Sequence, residues 1–254
     1  MDFGIALAGL MVGFLVGLTG VGGAAILTPL LVLIGIPAHT AVGTDLLYNS
    51  ITKLFGTIQH WRQKTIDLFL VKYLAIGSLP GAVLAVSLLK VFDAFFHNQE
   101  EVITHALGFV LIFVAIATIW NQFNSKKLKA NKIKLRPDSE KKTMTILIGC
   151  VLGFVVGLTS IGSGSLFAIA LLYFYRMRTS QLVGTDIAHA FLLASAAGLM
   201  HAGLGNVNYT LMFNLLAGSI PGVLLGSTLS AKVPAKPLRT IIAALIFVSG
   251  IKMI

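Results

Sequence analysis

Apolar runs long enough to cross a bilayer as helices recur along the whole chain, separated by short polar stretches, and none keeps the two-residue alternation of a barrel strand. The pattern predicts helical elements at 3–35, 38–61, 66–90, 101–123, 143–175, 179–202, 208–230 and 237–254. Two of these are too long for a single crossing. Residues 3–35 as one straight helix would measure about 50 Å, against a hydrocarbon core of about 30 Å. The run is interrupted at "VGLTGVGGAAILTP", residues 16–29, by four glycines where a spanning helix should be most regular.

The interruption is repeated. "VGLTGVGG" at 16–23 returns as "VGLTSIGS" at 156–163, "AVGTD" at 41–45 as "LVGTD" at 182–186, and "GSLPG" at 77–81 as "GSIPG" at 218–222. The first pair is offset by 140 residues and the others by 141, so order and spacing are kept apart from one inserted residue. His60 and His201 also match at 141, as do Asp67 and Asn208. The chain is a tandem duplication, with a first repeat at 1–123, a linker at 124–142 and a second repeat at 143–254.

Composition narrows the class. Of 254 residues 56% are hydrophobic and 11% charged, where soluble domains carry about 25% charged residues, so an all-helical integral membrane protein is expected. The first residues, "MDFGIALAGL", lack the basic start and small-residue cleavage site of a removable signal and are expected to remain as structure. Cys150, the single cysteine, excludes an intrachain disulfide and a thiolate metal cluster. A net charge of +10 is explained by membrane orientation and calls for no nucleic acid.

The linker "NSKKLKANKIKLRPDSEKK" carries eight basic residues against two acidic ones, which places it in the cytoplasm by the positive-inside rule. If the glycine segments were kinks within one crossing, the repeats would be parallel, and Arg176, Arg178, Lys232, Lys236 and Arg239 would lie outside. If each segment is a re-entrant helical hairpin, each repeat has a hairpin plus three transmembrane helices, and the repeats are inverted. Arg62 and Lys64 then join those five residues and the linker on the inside. The inverted arrangement is therefore expected, in a multi-pass protein of the cytoplasmic membrane with both termini extracytoplasmic.

A hairpin turning within the bilayer leaves backbone groups that hydrocarbon cannot satisfy, so its tip must lie in protein or line a cavity. The second arm of each hairpin is predicted to start near Gly22, Gly23 and Ala24 and near Ser163, Gly164 and Ser165, presenting free N–H groups that suit an anion. Substrate-binding candidates are thus Thr19, Gly20, Gly22 and Gly23 in one tip and Thr159, Ser160, Gly162, Ser163, Gly164 and Ser165 in the other. Inversion brings the tips together from opposite faces. The plainer reading is that these small residues only allow close helix packing.

The following helix carries a polar stripe, with Asp45, Asn49, Lys53 and His60 on one face. A cation at the depth of Lys53 costs roughly 2.5–3.5 kcal/mol on insertion scales, so Asn49 and Lys53 join the candidate anion site. The alternative is a bond from Lys53 to Asp45 or Asn49 without a transport role. Asp45 and Asp186 are candidates for binding a coupling proton or sodium ion, or else cap helices after their Gly-Thr pairs. His60 and His201 read as packing residues, and Pro80 and Pro221 as kinks in matching helices.

Taken together, these motifs in both copies resemble the TauE/SafE family of membrane permeases over essentially the whole chain. The resemblance implies transport of sulfite, organosulfonates or related sulfur-containing anions. The second copy reads "GLTSIGSGS", with serines where the first has glycines, so the two tips are expected to share a site unequally. The expected function is a secondary transporter for a small sulfur-containing oxyanion. The alternatives are a passive anion channel and an intramembrane aspartyl enzyme on Asp45 and Asp186, the latter weakened because duplication already explains the pair. No enzyme activity, cofactor or metal is expected, and no P-loop is present. The expected partners are the anion, a coupling proton or sodium ion and the lipid bilayer. Oligomerisation is left open.

Overall fold

The structure is a computed structural model that describes residues 3–19, 23–96, 99–124, 138–229 and 235–254. Among these residues there is no strand. The helices are α1 (Phe3–Thr19), α2 (Ala24–Leu33), α3 (Ala38–Arg62), α4 (Leu68–Phe96) and α5 (Gln99–Asn124). After a short 3-10 turn at Asp138–Lys141 come α6 (Lys142–Thr159), α7 (Leu166–Phe174), α8 (Thr179–Gly203), α9 (Tyr209–Leu229) and α10 (Ala235–Lys252). Most of the predicted linker lies outside the described residues, as do Gly20, Gly22 and Lys232.

Five helices, α4, α5, α6, α8 and α9, are long and apolar enough to cross a membrane. Helix α3 has the length, at 25 residues, but its polar stripe lowers its mean hydropathy; Asp45 and Asn49 of that stripe are buried in the protein, and Lys53 and His60 are half-buried. Outward faces carry Phe109, Phe113, Trp120, Phe213 and Leu224, all exposed, as a lipid-facing surface requires.

The breaks in the two long runs are where the sequence puts them, but the arms are unequal. At 18 residues α6 is about 27 Å long and α1 is similar, whereas α2 and α7 have 10 and 9 residues. The first arms are thus longer than half-helices. Their glycines do not interrupt them, because Gly9, Gly13, Gly149, Gly153 and Gly157 serve close packing instead. A side-chain carbon at Gly9 or Gly13 would collide with Leu215 or Ser219 of α9, and one at Gly149 or Gly153 with Leu74 or Ser78 of α4. Gly218, Gly222 and Gly226 of α9 press in turn on Ala6, Leu10 and Phe14 of α1. Small residues at these positions let the backbones approach closely, while the residues after Thr159 make the break.

These contacts fix directions. Positions rise together along α1 and α9, and along α4 and α6, where Gly77 and Gly81 meet Ile146 and Cys150, so each pair runs parallel. By contrast Gly43 lies against His201 and Asn206, Gly198 against Leu47 and Gly184 against His60 and Thr65, so α3 and α8 run antiparallel. The longer helices pack on the duplicate half, α1 on α9, α6 on α4, α3 on α8 and α5 on α10, whereas α2 and α7 lie mainly on α3 and α8 of their own halves.

Cross-half capping locks this arrangement. Thr44 Oγ1 accepts the N–H of Asn208 at 3.0 Å, and Thr185 Oγ1 accepts the N–H of Asp67 at 2.9 Å. Asn208 and Asp67 then cap α9 and α4 by accepting the N–H groups of Leu211 and Leu70 at 2.9 and 3.2 Å. The "GTD" repeats therefore divide their labour: glycine admits the other half's chain, and threonine holds its helix cap. Pro80 and Pro221 lie inside α4 and α9, which continue past them.

Candidate substrate and coupling site

The second tip is built from residues that cannot continue α6. Ser160 adopts φ 62° while its N–H still bonds to Val156 O, and Gly162 follows at φ 107°, a conformation that L side chains rarely adopt. Thr159 Oγ1 bonds to Val155 O at 2.7 Å and accepts the N–H of Ile161 at 3.2 Å, so this hydroxyl knits the turn itself. The chain re-enters a helix at Leu166, with Ser165 in the N-cap position but no side-chain cap bond, and Gly164 half-buried just before it. In the first tip α1 ends at Thr19, and Gly23 stands at the start of α2. A carbon added at Gly23 would sit 3.8 Å from Asn49 Oδ1, so this glycine faces the polar stripe of α3.

Asp45 is fully buried and joins three elements. Its Oδ2 accepts hydrogen bonds from Thr28 of α2 at 2.8 Å and from Ser160 of the second tip. Its Oδ1 accepts from Asn49 Nδ2 at 2.8 Å, and the same amide donates to the Asp45 carbonyl at 2.9 Å. One turn further on, Lys53 Nζ donates to the Ser163 carbonyl at 2.6 Å and to its hydroxyl at 3.0 Å. A first-half carboxylate and a first-half ammonium thus both grip the second-half tip.

The lysine pairs with neither carboxylate directly, although Asp186 and Asp45 are its charged neighbours. The sequence alternative of a bond from Lys53 to Asp45 or Asn49 is not what forms. Capping by the aspartates is not what forms either: each is the eighth residue of its helix, beyond the first turn, and the capping bonds belong to the preceding threonines.

Asp186 is 6% exposed, and its Oδ1 has no hydrogen-bond partner. One turn along α8 sits His189, fully buried, with Nε2 2.8 Å from Ser78 Oγ, its ring 4.3 Å from that of Phe167, and Nδ1 without a partner. His60 is outside this cluster, at the far end of α3, where Nδ1 meets Thr65 Oγ1 at 2.8 Å. His201 is buried with Nε2 at 3.0 Å from the Gly157 carbonyl, a packing role.

Across residues 5–253 the chain matches the family described as Sulfite exporter TauE/SafE. The chain belongs to the TauE/SafE family. It is 61% identical over 254 residues, the full length of both chains, to the probable membrane transporter protein YjnA of Bacillus subtilis. It is 27% identical to the probable membrane transporter protein YdhB of the same organism, covering 98% of this chain and 99% of that one. An archaeal relative, the probable membrane transporter protein MJ0441 of Methanocaldococcus jannaschii, is 26% identical over 98% of this chain and 94% of its own. No solved structure matches the chain. These relatives are named as probable membrane transporters, and this TauE/SafE protein is a multi-pass membrane transporter.

Sequence reasoning missed Thr28, Ser78 and His189 in this TauE/SafE chain. Thr28 lies beside Pro29 in an apolar arm and shows its role only through Asp45. His189 was readable, since it follows Asp186 by three residues and so shares its face. Its duplicate position, Tyr48, faces Ser219 just as His189 faces Ser78.

Proposed function

We propose that this protein is a secondary transporter that moves a small sulfur-containing oxyanion, sulfite or an organosulfonate, by alternating access around two re-entrant tips. The observation that carries the reading is Lys53: a half-buried ammonium held by a neutral carbonyl and hydroxyl, with no carboxylate in contact among the described residues. A substrate anion offers that ammonium a stronger, charge-assisted bond than Ser163 does. Gly23 and Asn49 on one side, and Thr159, Ser160, Gly162, Ser163, Gly164 and Ser165 on the other, line the anion's place. Asp45 and Asp186 are the candidates for the coupling ion.

The re-entrant, inverted arrangement is part of this proposal. Its support is directional: α1 is parallel to α9, and α9 runs with α3, since Thr44 meets Asn208 and Tyr48 meets Ser219. Helices α1 and α3 therefore point the same way, which requires α2 to turn back between them. Duplicate helices that run antiparallel also imply a pseudo-two-fold axis across the helices, in the plane of the membrane. On this reading the repeats are 1–123 and 143–254, the 124–142 linker is cytoplasmic, both termini are extracytoplasmic, and the membrane is the cytoplasmic one.

Alternating access must open what is closed in this structure, since Asp45 and Ser160 are fully buried and Ser163 is 2% exposed. In proteoliposomes loaded with unlabelled sulfite, labelled sulfite or methanesulfonate should exchange inward, and Lys53→Ala should lower the exchange by about 30-fold or more. Measurable single-channel current without counterflow would establish a channel instead. With Cys150 replaced, cysteines introduced at 176–178 and 232–239 should both react from the cytoplasmic side, and reaction of both from the outside would sink the inverted topology.

A further inference from the structure

The two aspartates occupy equivalent positions, but the residues that satisfy the first are missing around the second. Applying the 140- and 141-residue offsets, Thr28 becomes Ile169, Asn49 becomes Ala190 and Ser160 becomes Gly20. Every side-chain donor that binds Asp45 is thereby replaced by a residue with none. The loss matches the geometry, in which Asp186 Oδ1 is buried and unpartnered. Lys53 and Ser163 have lost their donors in the duplicate too, as Ala194 and Gly23. What the second half has gained is His189 in place of Tyr48, one turn from Asp186 and with a buried, unpartnered Nδ1.

We propose that Asp186 and His189 form the proton-loading site that couples transport, and that Asp45 is a fixed structural anchor outside the coupling step. This rests on the transport reading above and assigns the coupling ion within it. A buried carboxylate oxygen without a donor carries a desolvation cost that a proton removes outright. A hard cation such as sodium needs a shell of oxygen ligands. The free atoms here are one carboxylate oxygen and one imidazole nitrogen, with an ammonium nearby, a set suited to accepting a proton.

The charged and titratable groups around Asp186 define the coupling. Helix α3 contributes Lys53, which is the charged neighbour of both Asp186 and His189, and Asp45, which shares that lysine. The end of α3 places His60 against Gly184, two residues before Asp186. Helices α4 and α7 face His189 with the neutral Ser78 and Phe167. While Asp186 is ionised it offsets the charge of Lys53. When a proton arrives from water at Asp186 Oδ1 or His189 Nδ1, the cluster gains one positive charge and Lys53 is left to the substrate anion. Proton and anion therefore favour each other's binding, and they leave together.

Infrared difference spectra of the purified protein between acidic and alkaline pH test the assignment without any substrate. A protonated-carboxyl band that titrates in the wild type should vanish in Asp186→Asn and persist in Asp45→Asn. A band that survives Asp186→Asn, or vanishes only with Asp45→Asn, overturns the proposal. In proteoliposomes, methanesulfonate stays ionised as pH changes. Its flux under a gradient of about one pH unit should rise by up to roughly tenfold for one titrating group. That ratio should fall to one in Asp186→Asn and shift its midpoint in His189→Gln, while a sodium gradient has no effect. Sodium-driven flux that ignores pH overturns the proposal with transport intact. Absent flux of methanesulfonate and sulfite in the wild type, with the Asp186 band present, instead removes the transport reading and leaves the proton site standing.

Discussion

The two halves of this molecule agree at their edges and differ at their centre. Around the rim, duplicate residues do the same work: Thr44 and Thr185 hold the opposite half's cap, and the glycines of α1 and α6 press on α9 and α4 at matching positions. In the middle, Asp45 is tied by Thr28, Asn49 and Ser160, whereas Asp186 has an oxygen with no donor. The lysine has no duplicate at all. Packing between halves constrains backbones, which tolerate only small residues, so it preserves the symmetry. A site for one asymmetric event needs no such symmetry, and side chains there have diverged.

The sharpest way to break the comparison is to truncate each aspartate. Asp45→Ala leaves three buried donors without their acceptor and should cost about 3–5 kcal/mol of stability, since each buried donor left unsatisfied costs about 1–3 kcal/mol. Asp186→Ala should cost far less, because it removes a carboxylate that is itself incompletely satisfied. Thermal unfolding in detergent reads both, and equal losses would mean that the halves are energetically alike at their centre.

Next in size is the lysine. Lys53→Ala should lower sulfite exchange in proteoliposomes by about 30-fold or more, since loss of a buried charge-assisted partner is worth roughly 2–5 kcal/mol. If Lys53→Ala with Ala194→Lys restores exchange, the centre retains more symmetry than its side chains suggest.

At the rim the effects should match between halves. Gly153→Ala and Gly13→Ala place a carbon against the backbone of Ser78 and Ser219, and each should destabilise by about 1–3 kcal/mol. Smallest, Thr44→Val and Thr185→Val each remove one cross-half capping bond and should cost about 1 kcal/mol. Unequal results in either pair would show that the rim has diverged as well.

Much of the architecture was legible because duplication and hydrophobic run length are properties of the sequence itself. Offsets of 140 and 141 residues matched the elements before any contact was known, and the long runs could not fit one bilayer thickness. Individual bonds were less legible. Asp45 and Asn49 of the polar stripe on α3 turn inward as expected, but the partner of Lys53 comes from Ser163, 110 residues away. The aspartates looked like caps because they follow Gly-Thr pairs. It is the threonine that acts there, by holding the N–H of the residue that caps a helix of the other half, which no local spacing reveals.

The sequence by itself determined that the chain is helical, spans a membrane and is built twice, because run length, composition and repetition need no partner to be read. Only the tertiary structure decided which duplicate groups meet. Helices from one half lie against the other, and a hydrogen bond across that boundary depends on distances that the chain order does not encode. That is why Asp45 and Asp186 look alike in the sequence, within the same three letters, and differ in the fold by the donors around them.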